Sequence, residues 1–322
     1  MYSKRVAVLR GGPSEEYSVS MNTGRAVLES LSRQNIFCKD IIITKNGEWI
    51  NEGKVMPINK IFEGIDIVFL ALHGSFSEDG EIQKMLQTLK IPFTGSSSLS
   101  SAIAFNKALT KDIVEREGVL TPKYKVITND QLDDIYDITN QIISDIGPEY
   151  MVKPNTSGSS ISTQLVRNSV TLQTVIEDTL KKYDSIIVEE FIRGKEATVA
   201  VLEDFRGEEI YTFPITEIIP SRKFPFFDYQ AKYSGETETV CPSSFSYRER
   251  VLLQDYATHI HKTLGLSQYS RSDFMVRDNK VYFLETNTLP GLTSESLYPK
   301  AAKAVGLEFD DLISHLLNTC AK

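Results

Sequence analysis

The segment from Arg271 to Leu297 carries four polar side chains that could act together: Arg271, Asp273, Glu285 and Asn287. Two carboxylates and an amide oxygen suit a hard cation, and Mg²⁺ is usually held by one or two carboxylates together with substrate phosphates. Glu285 ends an apolar run, VYFLE, and is followed by TNTLPG rather than by more charge. That context favours a functional site over a solvated polar hairpin, and the group indicates ATP chemistry.

The same four residues read as part of a β-hairpin, whose register follows from parity. Side chains alternate along a strand. Asp273 and Glu285 therefore face the same way only if the sequence numbers of paired residues add up to an even number. A three-residue loop, Asp278-Asn279-Lys280, satisfies that condition and sets Arg271 opposite Asn287. A two-residue Asp-Asn turn would place the carboxylates on opposite faces unless a bulge corrects the register. We expect all four side chains on one face.

Composition excludes several classes of function. The 322 residues are 41% hydrophobic and 24% charged, which predicts a soluble globular chain with two or three cores. The net charge of −8 and the scattered lysines and arginines argue against a nucleic-acid partner, because binding a phosphate backbone needs a basic patch. No apolar run approaches transmembrane length, and the N-terminus reads as a strand rather than a signal peptide. We therefore expect no membrane partner and a cytoplasmic protein.

The cysteines agree with a reducing compartment. Cys38, Cys241 and Cys320 are odd in number, lie far apart in sequence and show no Cys-x-x-Cys spacing. That pattern predicts neither a disulfide nor a zinc site.

The first third of the chain has the pattern of an α/β domain. Apolar runs RVAVLR, CKDIIIT and DIVFLALHG alternate with helical periodicity at about residues 19–32 and 80–89. This order is typical of a parallel sheet with helices on both faces. We predict an N-terminal α/β domain over residues 1–95.

Two further units follow without a flexible linker. Helices at about residues 98–117 lead to strands near EYMVKP, ISTQLV and IIVEEF, and a strand-rich unit begins at about Glu196. We predict a central domain over residues 96–188 and a C-terminal domain over residues 189–322, with the site between closely packed domains.

Two segments in these units could bind a nucleotide. MVKPNTSGSSIS places Lys153 at a strand end before small polar residues whose N–H groups and hydroxyls could hold phosphate oxygens. It is not a Walker loop, in which lysine follows the glycines, and a plain surface loop is the alternative. IIVEEFIRGKE ends a strand at Glu189 to Ile192, where backbone groups could meet an adenine edge while Glu196 reaches ribose hydroxyls. Simple solvation of these glutamates is the alternative.

The N-terminal segment RGGPSEEYSVS reads as a strand, a glycine turn and a helix start, with Glu16 among its polar groups. The dinucleotide fingerprint G-x-G-x-x-G is absent, which counts against a hydride-transfer enzyme. His73 closes a strand in ALHGSFSEDG, at the sheet edge where ligands usually bind, although a structural histidine is an equal alternative.

Taken together, these segments resemble the D-alanine–D-alanine ligases of the ATP-grasp superfamily. The resemblance covers nearly the whole chain, with the family's motifs in order: GGPSEEYSVS, HGSFSEDGEIQ, FTGSS through FNK, VKPNTSGSS, VEEFIRGKE, DYQAKY, SRSDF and LETNTLPGLTSESLYP. One such motif is weak evidence, whereas eight in order are specific. The resemblance implies an α/β, three-domain ATP-grasp fold and ligation of two D-alanine molecules through an acyl phosphate, for peptidoglycan precursor synthesis. It also implies ATP and two Mg²⁺ or Mn²⁺ ions, and a homodimer.

The resemblance assigns residues to a nucleotide and metal site. It implies that the phosphates are held by Lys107 and Lys153. It implies that adenine is held by Glu189 and Ile192 and the ribose by Glu196. Those implied to hold the two metal ions are Asp273, Glu285 and Asn287.

The resemblance also assigns residues to the amino-acid substrates. Glu16 would meet the first substrate's ammonium, linked through Ser159 and Tyr233 to a mobile loop. Stabilisation of the oxyanion is assigned to Arg271 and the Gly291 N–H. The other residues implied to contact substrate or close the loop are His73, Lys232, Ser296 and Leu297, with Ser296 at the second substrate's carboxylate.

Four positions depart from the family pattern: Ser77, Lys84, Ser162 and Glu295. None removes a catalytic group. A serine can replace glycine where φ is negative, so these changes bear on loop geometry and substrate affinity rather than on the reaction.

Three functions stay open on the sequence. The first is a D-alanine–D-alanine ligase. The second is another ATP-grasp carboxylate–amine ligase or a D-alanine–D-lactate ligase, and the third is a non-catalytic nucleotide-binding protein. In the family, a tyrosine at position 233 goes with an amine nucleophile and a phenylalanine with D-lactate. The filled charged positions disfavour the non-catalytic alternative.

Overall fold

The computed structural model describes residues 4–158, 162–221, 223 and 236–320. Within these residues the strands form three sheets of five, four and six strands, covered by helices. The mixed α/β class predicted from the sequence is confirmed.

The first sheet has the order β4-β3-β2-β1-β5. Its strands are β1 (Val6–Gly11), β2 (Cys38–Ile43), β3 (Trp49–Asn51), β4 (Lys54–Val55) and β5 (Ile67–Leu70). β1 pairs in parallel with both β2 and β5, as predicted, whereas β3 and β4 add an antiparallel edge that the sequence did not indicate. The four residues of β5 are all buried, which is typical of parallel strands covered on both faces.

Helices connect and cover this sheet. They are α1 (Tyr17–Arg33), α2 (Ile58–Ile61) and α3 (Glu81–Thr88). The bounds of α1 and α3 agree with the periodicity to within about two residues.

The helical region predicted at about residues 98–117 consists of two helices, α4 (Ser98–Phe105) and α5 (Lys107–Arg116). Asn106 separates them with an extended backbone, and its side chain accepts a hydrogen bond from the Leu109 N–H at 3.0 Å. This N-cap starts α5 at Lys107, so the capping residue decides where that side chain lies.

The four-stranded sheet is antiparallel in the order β6-β9-β7-β8. Its strands are β6 (Tyr124–Thr128), β7 (Tyr150–Pro154), β8 (Gln164–Val166) and β9 (Ser185–Glu190). A 3₁₀ helix (Asn129–Asp134) leads into α6 (Ile135–Ile146), and α7 (Ser169–Leu180) packs beside it on the same core.

The third sheet follows the order β13-β12-β10-β14-β15, with β11 also paired to β10. Its strands are β10 (Lys195–Phe205), β11 (Glu208–Thr212), β12 (Thr216–Ile219), β13 (Glu238–Val240), β14 (Tyr269–Arg277) and β15 (Lys280–Asn287). The helices of this part are α8 (Tyr247–Thr263), α9 (Leu297–Ala304) and α10 (Phe309–Thr319).

The β14–β15 hairpin reaches the predicted pairing by a different route. Its turn has two residues, Asp278 and Asn279, with φ of 53° and 59°, so the predicted three-residue loop is wrong. The register shifts between Asp273 and Phe274, which leaves Leu284 without a partner and sets Asp273 opposite Glu285. The bulge therefore puts Asp273 and Glu285 on the same face, which the two-residue turn alone would not do.

Three hydrophobic cores hold these layers together. One lies around the four-stranded sheet, and one lies between α8, α5 and the third sheet. The third core joins the first sheet to Leu312, Ile313, Leu316 and Leu317 of α10, so the end of the chain packs on its beginning. The predicted domain boundaries stay a prediction. Among the described residues, no helix is long and apolar enough to cross a membrane.

Candidate active site between the two antiparallel sheets

The four polar residues of the hairpin lie on one face, and hydrogen bonds join Arg271, Asp273 and Asn287. Arg271 donates to both oxygens of Asp273, from Nε at 3.0 Å and from Nη2 at 2.8 Å. The Asn287 amide donates to Asp273 Oδ2 at 3.3 Å, and Asn287 pairs with Arg271 across the ladder. Burial lowers the pKa of Arg271, but Asp273, together with Glu285 and Glu78, outweighs burial and raises that pKa further above its ordinary value. The guanidinium is thus a permanent positive charge at this face.

Lys107 connects α5 to the same face. Its Nζ lies 3.4 Å from Glu285 Oε2 and donates to the Ser157 carbonyl. Its backbone N–H donates to the Asn155 carbonyl at 3.0 Å, which anchors the start of α5 to the segment after β7. The lysine predicted to hold phosphate is therefore beside a predicted metal ligand.

Lys153 and Glu189 are paired on neighbouring strands of the four-stranded sheet. Lys153 Nζ lies 2.7 Å from Glu189 Oε2, and both side chains are buried. Burial lowers the pKa of Lys153, but Glu189 and Glu285 outweigh burial, and the net effect is a raised pKa. Lys153 is consequently charged at neutral pH.

A cavity of about 590 Å³ lies between the four-stranded sheet and the third sheet. Apolar side chains such as Met151, Phe191 and Met275 form part of its wall. Every residue predicted to hold nucleotide lines it: Lys107, Lys153, Glu189, Ile192 and Glu196. Arg271, Asp273 and Glu285 line it as well. A cavity whose wall includes both apolar side chains and cations can hold a flat base together with phosphates.

A second cavity, of about 760 Å³, adjoins the first, since Gly158, Arg271 and Leu297 line both. The predicted substrate residues on its wall are Glu16, His73, Arg271, Gly291, Ser296 and Leu297. Asn287 lies on this wall too. Of the charged residues that the structure describes, Arg271 is the one on the walls of both cavities.

The turn before α9 forms part of the wall of the second cavity. Ser296 is the residue that precedes this helix, and its Oγ accepts a hydrogen bond from the Thr293 N–H at 3.1 Å. A Cβ at Gly291 would lie 2.9 Å from Ser296 Oγ, so a side chain at position 291 would displace the Ser296 hydroxyl. The turn holds the Ser296 hydroxyl at the cavity wall.

His73 is buried, and both of its ring nitrogens have partners. Nδ1 lies 3.0 Å from the Leu289 carbonyl and Nε2 lies 2.8 Å from Thr23 Oγ1. Because a carbonyl only accepts, Nδ1 carries the proton. These contacts link α1, the end of β5 and the segment after β15; a substrate contact by His73 stays a prediction.

Three predicted residues lie outside the described residues: Ser159, Lys232 and Tyr233. Their assigned roles stay predictions.

The sequence reasoning missed two buried ionisable side chains at the site. Lys111 lies one turn after Lys107 on α5, with Nζ 3.2 Å from Glu189 Oε1. Glu78 lies on the wall of the second cavity and accepts a hydrogen bond from the Gly74 N–H at 2.9 Å. The signals were the i, i+4 spacing of the two lysines and the position of Glu78 within HGSFSEDG.

The departures from the family pattern are accommodated locally. Ser77 is buried, and its φ lies outside the left-handed region. Its Oγ donates to the Gly74 carbonyl at 2.9 Å. Ser162 Oγ contacts Tyr183 Oη at 2.5 Å, while Lys84 is exposed. Glu295 is exposed and lies 3.2 Å from Lys300 Nζ.

The chain was compared with known proteins. Residues 56–96 match the family model for the D-ala D-ala ligase N-terminus, and residues 113–318 match the model for the D-ala D-ala ligase C-terminus. A D-alanine–D-alanine ligase of Syntrophotalea carbinolica is 36% identical over 320 residues, which cover 98% of this chain and 96% of that protein.

Two solved structures share the architecture at 30% identity each. A D-Ala:D-Ser ligase, VanG, from Enterococcus faecalis has a TM-score of 0.84, with 98% of this chain and 99% of that chain covered. A D-alanine–D-alanine ligase from Bacillus anthracis in complex with ATP has a TM-score of 0.79, with 100% and 98% covered. The fold is therefore the α/β ATP-grasp fold. Because both family models match and the relatives are covered almost end to end, this chain belongs to the D-alanine–D-alanine ligase family.

Proposed function

We propose that this protein joins two D-alanine molecules into D-alanyl-D-alanine at the expense of ATP, through an acyl phosphate, and so supplies a peptidoglycan precursor. The observation that carries the proposal is the pair of adjoining cavities, with Arg271 on the walls of both. Nucleotide in one cavity and amino acids in the other would bring a γ-phosphate close to a carboxylate at this arginine.

The chemistry explains why so many cations meet there. A carboxylate is a poor electrophile, and phosphorylation converts its oxygen into a leaving group. Phosphoryl transfer needs mainly positioning and neutralisation of charge. Lys107 and Lys153 would bind the phosphates from the nucleotide cavity, while Arg271 would stabilise the charge that develops on the transferred group and then on the tetrahedral oxyanion, with the Gly291 N–H.

The substrates would be held by groups of opposite charge. Glu16 would accept the first substrate's ammonium, and Ser296, before α9, would donate to the carboxylate of the second. Leu297 would cover the second substrate. Tyr233, with Ser159 and Lys232, would close the site against water, which otherwise hydrolyses an acyl phosphate.

The donor set fits two Mg²⁺ or Mn²⁺ ions only in company with phosphates. Among the described residues, no three His, Cys, Asp or Glu side chains are grouped to hold a metal ion. Asp273, Glu285 and Asn287 offer two carboxylates and an amide, which is the sparse oxygen set that Mg²⁺ uses beside nucleotide phosphates. Bound there, the ions would supply charge neutralisation to the phosphates.

A second candidate function differs in the nucleophile. The VanG structure is a D-Ala:D-Ser ligase and matches this chain as well as the ATP-bound D-alanine–D-alanine ligase does. D-Lactate is the other alternative second substrate, which Tyr233 disfavours. The proposal includes a cytoplasmic homodimer with no nucleic-acid partner.

The test is ADP release from ATP and Mg²⁺ with a panel of acceptors, with mass identification of the product. We expect ADP and D-alanyl-D-alanine with D-alanine, and no turnover with L-alanine. D-Serine or D-lactate added with D-alanine reports the second-site preference. Equal turnover with L-alanine would overturn the proposal, and D-alanyl-D-serine as the main product from an equimolar mixture would favour the second candidate.

A further inference from the structure

Lys111 is a buried charge beside the nucleotide cavity, and the reaction proposed above does not use it. Its side chain is 0% exposed, and it is absent from the cavity wall. Its Nζ donates to the Phe283 carbonyl at 3.3 Å and lies 5.8 Å from the Phe283 ring centre. The helix thus holds an ammonium group away from water, where a charge is costly unless it is paired.

The partner of Lys111 is Glu189, whose two oxygens meet two different lysines. Oε1 lies 3.2 Å from Lys111 and Oε2 lies 2.7 Å from Lys153. Glu189 is 1% exposed, so water does little to screen either contact. Burial lowers the pKa of Lys111 to about 8; Glu189 acts in the opposite sense, and Lys153 lowers it further. Burial raises the pKa of Glu189, but Lys111 and Lys153 outweigh burial and hold it below its ordinary value.

The charges of this triad do not cancel. Two ammonium groups face one carboxylate, and of the two lysines only Lys153 reaches the cavity wall. If Lys111 were neutral, the charge of Glu189 would fully offset that of Lys153, which it contacts at 2.7 Å. With Lys111 charged, the excess positive charge is presented to the cavity through Lys153.

We propose that Lys111 is a positioning residue for nucleotide: it holds and neutralises Glu189, and thereby leaves Lys153 positively charged toward the phosphates of ATP. This inference rests on the proposed function, since it concerns the same cavity. Lys111 acts through two other side chains and does not touch the substrate.

The first test replaces Lys111 with methionine, which is similar in length and uncharged. The dissociation constant for a non-hydrolysable ATP analogue with Mg²⁺ and the KM values for ATP and D-alanine are measured on the full chain. We expect nucleotide binding and the KM for ATP to weaken by about tenfold, with little change in the KM for D-alanine. Unchanged nucleotide binding by K111M would overturn the role of Lys111.

A matched control separates charge from packing. Val114 lies on the same helix and is 0% exposed, so Val114→Ala loosens the packing of α5 without altering any charge. We expect V114A to lower thermal stability but to bind nucleotide as the unaltered chain does. Equal weakening in V114A and K111M would show that α5 packing, and not the Lys111 charge, is responsible.

The double variant K111M/E189Q restores the net charge of the triad. Glutamine does not neutralise Lys153, and it keeps an acceptor oxygen for the adenine contact assigned to Glu189. Nucleotide should therefore bind more tightly to the double variant than to K111M alone. A merely structural role of Lys111 would give the double variant no tighter binding than K111M. Failure of the unaltered chain to bind nucleotide would overturn the proposed function itself and is distinguishable from failure of K111M alone.

Discussion

Ionic pairing at single residues accounts for much of the candidate site. Asp273, Glu285 and Glu189 each lie against a lysine or arginine. The negative charges of the carboxylates implied to hold metal or nucleotide are therefore neutralised by these partners. Arg271 and Lys153 keep raised pKa values through these contacts despite burial. A negatively charged ligand can then replace these carboxylates as the partner of the same lysines and arginine.

A second group of reactive side chains, Ser270, His261 and Glu203, has the residue types of a catalytic triad but is buried. His261 Nδ1 lies 2.8 Å from Ser270 Oγ and Nε2 lies 3.2 Å from Glu203 Oε1, which is the order of a serine nucleophile, a base and an acid. Ser270 is 0% exposed and His261 is 1% exposed. A hydroxyl without access to substrate cannot act as a nucleophile, so this network is structural.

Glu78 gives a prediction on the pH dependence of stability. Burial, followed by repulsion from Glu16, raises the pKa of Glu78 from 4.5 to about 8. A raised pKa in the folded state means that the contribution to stability is full below about pH 4.5 and is lost as the pH rises through about 8. We expect Glu78→Gln to remove this loss, on the order of a few kcal/mol between those limits.

The measurement is the free energy of unfolding by urea from pH 5 to pH 9, for the unaltered chain and E78Q. The two curves should diverge as the pH rises, with E78Q the flatter. Parallel curves would show that Glu78 has its ordinary pKa in the folded protein.

At the scale of elements, capping and register decide what the strands and helices present. Asn106 ends one helix and begins the next, which places Lys107 at a helix start. The bulge at Leu284 turns Glu285 onto the face of Asp273. Both are local features with consequences for the cavity.

The start of α8 gives a test of capping. Ser246 accepts from the Glu249 N–H at 3.3 Å, and Glu249 Oε2 accepts from the Ser246 N–H at 2.9 Å, which is a capping box. Ser246→Ala should lower the free energy of unfolding by about 1 kcal/mol, since it removes the acceptor for a helix N–H. Urea denaturation measures the change; Ser246→Thr, which retains the hydroxyl, is the control and should lose far less. Equal losses would argue that the hydroxyl does not cap this helix.

In the whole molecule, the two ends of the chain share a core. Leu316 of α10 is 0% exposed in the core of the first sheet, and Lys4 Nζ donates to the Leu317 carbonyl at 2.7 Å. Asp310 pairs with Arg33 of α1 at 2.6 Å. The last helix therefore joins the third sheet to the first, and the second cavity lies between those parts.

This shared core predicts a large effect from a distant residue. Leu316→Ala should lower the free energy of unfolding by about 2–5 kcal/mol, through lost burial and a residual cavity. Asn318→Ala, at an exposed position on the same helix, should change it by less than about 0.5 kcal/mol. Thermal and urea unfolding measure both variants. A small effect of L316A would mean that α10 contributes little to this core.

The sequence by itself determined the elements and the chemical class. Helix α1 and strands β14 and β15 follow from periodicity, because the pattern of apolar residues along a short segment decides which face can be buried. The motifs placed the cations and carboxylates of the nucleotide cavity on particular elements. The periodicity depends only on neighbours within about a dozen residues. The chemical class depends on motifs spread along nearly the whole chain, but each motif is itself a short segment.

Only the tertiary structure decided how those elements meet. A two-residue turn with a bulge and a three-residue loop are both compatible with the hairpin sequence, and packing of the sheet selects between them. The pairing of Lys111 with Glu189 and the packing of α10 on the first sheet join residues 78 or more positions apart. Such contacts depend on the free energy of the whole packed chain, and so no local pattern in the sequence reveals them.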